Sequence, residues 1–351
     1  MSDANWRYGP ARRRAFWPWP VGLFLVLCAA GAAGLFWLWG ALERYEYATP
    51  EAAILRCVRA MQAGQELPDV PRQLLPGRFA TADQYADEAR ALLADLPADR
   101  DRLRFVKKAQ EEQQLDYLVV DEEQGRVEFL LLPQGDGWAA WPRVEPLAAV
   151  TIQAPADVAL SLDGLPLGSE ELASESPVPG FEALGEAAPR LCQWRVEGLL
   201  EPPELTAQSE AGSCRVTWET PLRARVTVEP DADTAASLER FFENAARVYA
   251  RYVSADASFA ELSGLLVRDT DLYENLRTFD SSWYVSHDAV AFEELEVSAL
   301  ESFGPDAASG TVTFTYVVSK EGLRPRSYPS KYRMHAIRDE QGWRLLDLEV
   351  L

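Results

Sequence analysis

From Ala15 to Leu42 the chain carries no charged side chain. Within this run, Val21 to Gly40 (VGLFLVLCAAGAAGLFWLWG) is apolar enough to cross a bilayer: at about 1.5 Å per residue, some 20 helical residues span the roughly 30 Å hydrocarbon layer. Trp17 and Trp19 stand at one end and Trp37 and Trp39 at the other, the positions that amphipathic rings favour at the two headgroup levels. Four arginines, Arg7, Arg12, Arg13 and Arg14, precede the run and Glu43 follows it. The excess of cations before the span places the N-terminus in the cytoplasm and everything after residue 43 outside. The expectation is a plasma-membrane protein with one span, a cytoplasmic tip at 1–14, a transmembrane helix at 15–42 and extracytoplasmic domains beyond. Two alternatives stay open. A signal peptide could be cut near the small residues at Ala29–Ala33, although the apolar run continues to Leu42, and Cys28 could carry a lipid, although bulky Leu27 precedes it. Gly31 and Gly34 do not form a Gly-x-x-x-Gly pair, so oligomeric state is left open.

Charge narrows the partners. The formal charge is −21, and because residues 1–14 are net basic, the remainder is more acidic still. No Lys/Arg-rich block follows residue 14, which argues against nucleic acid, whose phosphates need clustered cations. Two histidines and four scattered cysteines offer no metal-ligand spacing, so neither a metal nor a cofactor is expected.

Three exterior segments differ in texture. In 45–146, Thr49-Pro50-Glu51 opens a helix with a cap, a proline at its first position and an acid in its first turn. Ala53, Ile54, Cys57, Val58 and Met61 then fall on one face. A second helix is predicted from Thr81 towards Pro97, then strands at 116–120, 126–132 and 137–141, an α+β arrangement. Segment 147–229 lacks a helical period and reads as an all-β module. Val158, Leu160 and Leu162 alternate up to Asp163-Gly164, a hairpin dipeptide, and a loose acidic loop is expected at 168–189. Segment 230–351 opens with a long helix whose stripe is Leu238, Phe241, Phe242, Ala245, Val248, Tyr249 and Tyr252. Shorter helices and an antiparallel sheet follow, with Val312, Phe314, Tyr316 and Val318 alternating with threonines.

Segments 49–141 and 233–351 share an order, helices first and then strands, the last strand opening with Gly-Trp at Gly137-Trp138 and Gly342-Trp343. This order resembles the NTF2-like fold, in which a helix lies across a bent sheet and leaves a cavity. Val150 to Val158 leading to Leu162-Asp163-Gly164 is similar to the start of PEGA-type and immunoglobulin-like β modules. Anchor, β module and terminal NTF2-like domain together resemble the teicoplanin-resistance-associated membrane proteins of Gram-positive bacteria, without the zinc ribbon with which those proteins begin. The resemblance implies a non-catalytic binding or sensing protein of the cell envelope, with a wall component or an envelope protein as its partner. One alternative is an accessory subunit of a wall-synthesis or secretion complex. Another is a cavity enzyme.

The resemblance implies a cavity lined by Tyr249, Tyr284, Tyr316, Tyr332 and Met334, residues that ordinary core packing would also use. His335 alternates to the opposite face and is expected to be exposed. No nucleophile, acid/base or metal motif is present, so no catalytic residue is expected. Asp280, Tyr284, His287 and Asp288 lie in a stretch that reads as a polar turn, and they would carry the chemistry of the enzyme alternative. Cys192 and Cys214, on two strands of the β module, are expected to form a disulfide outside the cell.

Overall fold

A computed structural model describes residues 18–65, 69–111, 114–121, 125–135, 137–280 and 286–351. Helix α1, Pro18–Tyr47, contains the 22-residue stretch Val21–Leu42, long and apolar enough to cross a membrane and not buried against the rest of the chain. The chain divides into two compact units: residues 1–74 with 85–144, and residues 75–84 with 145–351.

In the first unit, helix α2 (Pro50–Gln62) begins where the sequence predicts, with the Thr49 hydroxyl accepting from the Ala52 N–H at 3.3 Å. Its predicted face, Ala53, Ile54, Cys57, Val58 and Met61, is buried. Helix α3 (Ala82–Leu93) buries Tyr85, Ala89 and Leu93. Strands β1 (Arg104–Glu111), β2 (Gln114–Asp121), β3 (Gly125–Gln134) and β4 (Gly137–Pro142) pair in sequence order as an antiparallel meander. The buried Tyr85 hydroxyl donates to the Pro142 carbonyl and so ties helix to sheet. Strand β1 has no counterpart among the predicted strands: Arg104-Phe105-Val106-Lys107-Lys108-Ala109 is too charged for a clean period-two signal, and its exposed face explains why.

The second unit starts its β part with β5 (Val150–Pro155), β6 (Ala159–Leu162), β7 (Leu165–Pro166), β8 (Leu172–Pro177), β9 (Arg190–Val196), β10 (Leu205–Gln208), β11 (Gly212–Thr220) and β12 (Arg223–Pro230). They form a three-stranded sheet, β10-β6-β7, and a five-stranded sheet, β11-β12-β5-β9-β8, around a core that includes Ile152, Leu160, Leu162, Val196 and Val226. Asp163 and Gly164, both at positive φ, make the two-residue turn that pairs Leu162 with Leu165. The stretch expected to be a loose loop, 168–189, instead contains β8 and a 3₁₀ turn at Glu182–Ala187. Strand β8 pairs with β9 through its backbone while its side chains stay almost wholly exposed, so it leaves no hydrophobic alternation to read.

The expected disulfide does not form. Cys192 on β9 and Cys214 on β11 are both free thiols, and β5 and β12 lie between their strands. Three strand spacings amount to about 14 Å, twice the longest Cα separation that a disulfide ordinarily bridges.

The C-terminal region follows with α4 (Ala232–Val253), α5 (Phe259–Ser263), α6 (Asp271–Arg277) and a second sequential antiparallel meander, β13 (Ala289–Ser302), β14 (Ala307–Ser319), β15 (Arg326–Asp339) and β16 (Gly342–Val350). Both meanders are preceded by helices, as the repeated order of the sequence suggests. Two register shifts bend β13, with Glu294 and Ala299 at positive φ. Leu238, Phe242, Ala245 and Ala246 of α4 are fully buried against the inner face of the sheet. Gly310 of β14 makes room for this contact: a Cβ there would lie 2.9 Å from both Phe242 Cε2 and Leu300 Cδ2.

The β part and the C-terminal region, which the sequence presents as separate domains, share one compact unit. The reason is a joint apolar cluster on the outer face of the C-terminal sheet, in which Val178, Phe181 and Ala188 of the β part meet Ala307 and Leu346.

Candidate binding site

Of the five residues expected to line a cavity, four come together on the α4 side of the sheet. Tyr249 meets Tyr332 edge to face with ring centroids 5.6 Å apart, Tyr332 lies 5.8 Å from Phe314, and Tyr316 and Met334 are buried. They pack with Leu238, Phe242 and Val312 into the main hydrophobic cluster of this region. Tyr284 lies outside the described residues.

At the end of α4 this cluster turns polar. Asp256 Oδ2 accepts from the Ser254 hydroxyl at 2.7 Å and from the Tyr316 hydroxyl at 3.1 Å, and it lies 2.8 Å from His287 Nε2. Desolvation alone would raise the Asp256 carboxyl, but hydrogen bonds from Ser254, His287 and Tyr316 outweigh it and hold the group below its usual value. Burial pushes the Tyr316 phenol up. One carboxylate oxygen with three partners acts as a clasp between the helix end, strand β14 and the segment before β13. Asp280 is exposed and does not join it, and Asp288 is engaged separately, accepting from the Glu321 N–H at 2.8 Å.

The opposite face of the same sheet carries a polar row. Strand alternation turns Arg333 and His335 of β15, Asp347 and Glu349 of β16, and Ser309 of β14 away from α4, and β13 adds Glu301. Where the apolar cluster under Phe181 ends, this row and the β part enclose a cleft of about 430 Å³, lined among others by Gly180, Arg225, Glu301, Arg333, His335, Asp347 and Glu349. Glu301 occupies both guanidinium groups: Arg333 Nη2 lies 2.8 Å from its Oε2, and Arg225 Nη2 lies 3.7 Å from its Oε1. Arg333 also donates to the Ser309 hydroxyl at 2.8 Å. A second groove, lined by Glu294, Thr313, Lys331 and Leu351, is wider and more open. Neither contains any of the predicted cavity residues.

His335 corrects the expectation of exposure. It lies on the face that alternation predicts, but the 178–181 loop of the β part covers that face, leaving the residue 6% exposed. Phe181 stands edge to face on the imidazole at 5.3 Å, and Nδ1 has no hydrogen-bond partner. Burial, then Arg333, pushes the imidazole below its ordinary 6.5, while Asp347, Glu349 and Glu182 oppose the shift. A base whose folded pKa is depressed contributes stability fully above its unfolded value and loses it as pH falls below about 6.5, until the folded value is passed. Urea unfolding between pH 7.5 and 5 is therefore expected to show a loss of stability that His335→Gln reduces. An identical pH slope in the variant would remove His335 as the cause.

The cleft is only partly legible in the sequence. Arg333 with His335 and Asp347 with Glu349 are alternating polar positions in strand runs, a signal of an outward face. Nothing local to them announces the β part that turns the face into a cleft.

No family model and no curated protein matches the chain. Among solved structures it is similar to an "Ntf2 like protein involved in plasmid conjugation", with 10% identity, 70% of this chain and 74% of that chain covered, and a TM-score of 0.26.

Proposed function

We propose that this chain is a membrane-anchored, extracytoplasmic binding protein of a bacterial envelope, with its ligand seat in the charged cleft and its C-terminal region of NTF2-like type. The observation that carries this reading is helix α1, whose 22-residue apolar stretch buries nothing within the chain and precedes all the remaining elements. Such a surface is stable in lipid and costly in water. The arginines before it set the orientation. Binding rather than catalysis is supported by the Asp256 clasp, whose acceptor oxygen is taken up by its partners, and by the pairing of both cleft arginines with Glu301.

External protease added to intact spheroplasts is expected to remove a C-terminal epitope and to spare an N-terminal one. Protection of the C-terminal epitope, or release of the mature protein into culture fluid, would overturn the reading.

A further inference from the structure

Segment 178–188 of the β part covers the outer face of the C-terminal sheet by resting on a titratable side chain. A Cβ on Gly180 would lie 2.4 Å from Cδ2 and Nε2 of His335, and Phe181 stands edge to face on the ring at 5.3 Å. Around this contact Val178, Phe181 and Ala188 meet Ala307 and Leu346. The hydrogen bonds of the segment stay within the β part: the Val178 N–H donates to the Pro189 carbonyl, the Phe181 N–H to Val178, the Leu184 N–H to Phe181 and the Gly180 N–H to Glu182. Among the described residues none joins the segment to strands β13–β16. Packing alone holds it down, and an imidazole stands in the packed surface.

That imidazole is seated as a neutral ring. Its Nδ1 is sealed from solvent and has no hydrogen-bond partner. A neutral ring can keep this as its bare nitrogen, whereas a protonated ring makes both nitrogens donors and would bury an N–H with neither acceptor nor water. The charges around it do not reverse the preference. Arg333 on the same strand and Arg225 on β12 are cations, while Asp347 and Glu349 on β16, Glu301 on β13 and Glu182 in the covering segment are carboxylates. Strand β14 places uncharged Ser309 opposite His335. Glu301 is occupied by both guanidiniums, and burial together with Arg333 outweighs Asp347, Glu349 and Glu182, so the imidazole lies below its ordinary 6.5.

We infer that His335 makes segment 178–188 a proton-operated lid on the C-terminal sheet, closed over the neutral imidazole and released when the ring takes up a proton. Val178, Pro179 and Gly180 also line the cleft, so release opens it. The sign follows from linkage. In the open form the ring meets water and titrates near its ordinary value, so the open form binds the proton more tightly than the closed one. Between the two values the open-to-closed ratio rises by up to about tenfold for each pH unit of acidification. This device is separate from the binding reading and operates whatever the cleft receives.

The test uses full-length protein in detergent micelles between pH 7.5 and 5. Hydrogen exchange at the Val178, Phe181, Leu184 and Ala188 amides, corrected for the intrinsic pH dependence, is expected to lose protection by at least about threefold on acidification, while the α4 amides around Phe242 keep theirs. His335→Gln should abolish that loss. The chain has two histidines, so ¹³C labelling of histidine gives two ring signals, assigned with His287→Gln and His335→Gln. The His335 signal should titrate below 6.5, and its cross-relaxation with Phe181 should vanish with the same midpoint. This titration needs no variant other than for assignment, so it decides the matter even if His335→Gln unfolds. A His335 midpoint at or above 6.5, persistent contact with Phe181 after protonation, an equal loss of protection in His335→Gln, or simultaneous loss in α4, which would be global unfolding, would overturn the proposal.

Discussion

Phe242→Ala is expected to destabilise the C-terminal region by about 3–5 kcal/mol. Phe242 is fully buried at the contact between α4 and the sheet, between Leu238 and Ala245 on its own helix and above Gly310 on β14. Its ring occupies the space that the missing Gly310 side chain leaves, so removing it opens a void with glycine as its floor. Backbone cannot collapse into such a space as a flexible side chain could, which places the cost towards the upper end of the range. Calorimetry of the full-length protein should show the unfolding transition of the second unit lowered on the order of 10 °C. A loss below about 1 kcal/mol would mean that α4 does not lie on the sheet as described.

Gly180→Ala is expected to cost about 2–4 kcal/mol and to displace the His335 imidazole that lines the cleft. Two penalties coincide at this residue. Its φ of +85° disfavours any side chain, and a Cβ would collide with Cδ2 and Nε2 of His335. The imidazole is not free to yield, because Phe181 packs edge to face on it. Gly185, in the 3₁₀ turn that follows, separates the two penalties: its φ is +58°, yet nothing lies within 4 Å of its missing Cβ. Gly185→Ala should therefore cost about 1 kcal/mol and leave the His335 imidazole where it is, as histidine NMR of the two variants would show. Equal effects of the two substitutions would show that the Gly180 contact with His335 is not what the glycine serves.

The elements legible in the sequence are those whose signal is local. The capped α2, the stripe of α4 and the alternation of Val312, Phe314, Tyr316 and Val318 each declare one buried face. Strands β1 and β8 are hidden because neither carries an apolar alternation: β1 is charged, and β8 is joined to its neighbour by backbone pairing and the Glu175–Arg190 ion pair rather than by buried apolar side chains. Tyr249, Tyr316, Tyr332 and Met334, expected around a cavity, do group in space, but a set of apolar residues does not say whether their side chains meet. Here they do. His335 and Cys192 mark the other limit. Alternation states which face a side chain takes, while what covers that face, and how many strands stand between a pair of cysteines, depend on pairings between distant segments.

Residues 75–84 belong to the second unit although the chain returns to the first immediately after them. Phe79 is 3% exposed within the β core, and Arg78 reaches Glu171 at 2.8 Å and the Pro166 carbonyl at 2.9 Å. A gene fragment starting at codon 145 would therefore encode a β core missing one of its own plugs, and a shuffling event at that boundary would inherit the same defect. Because the thread passes from one unit to the other more than once, neither can be cut out as a single uninterrupted stretch of chain.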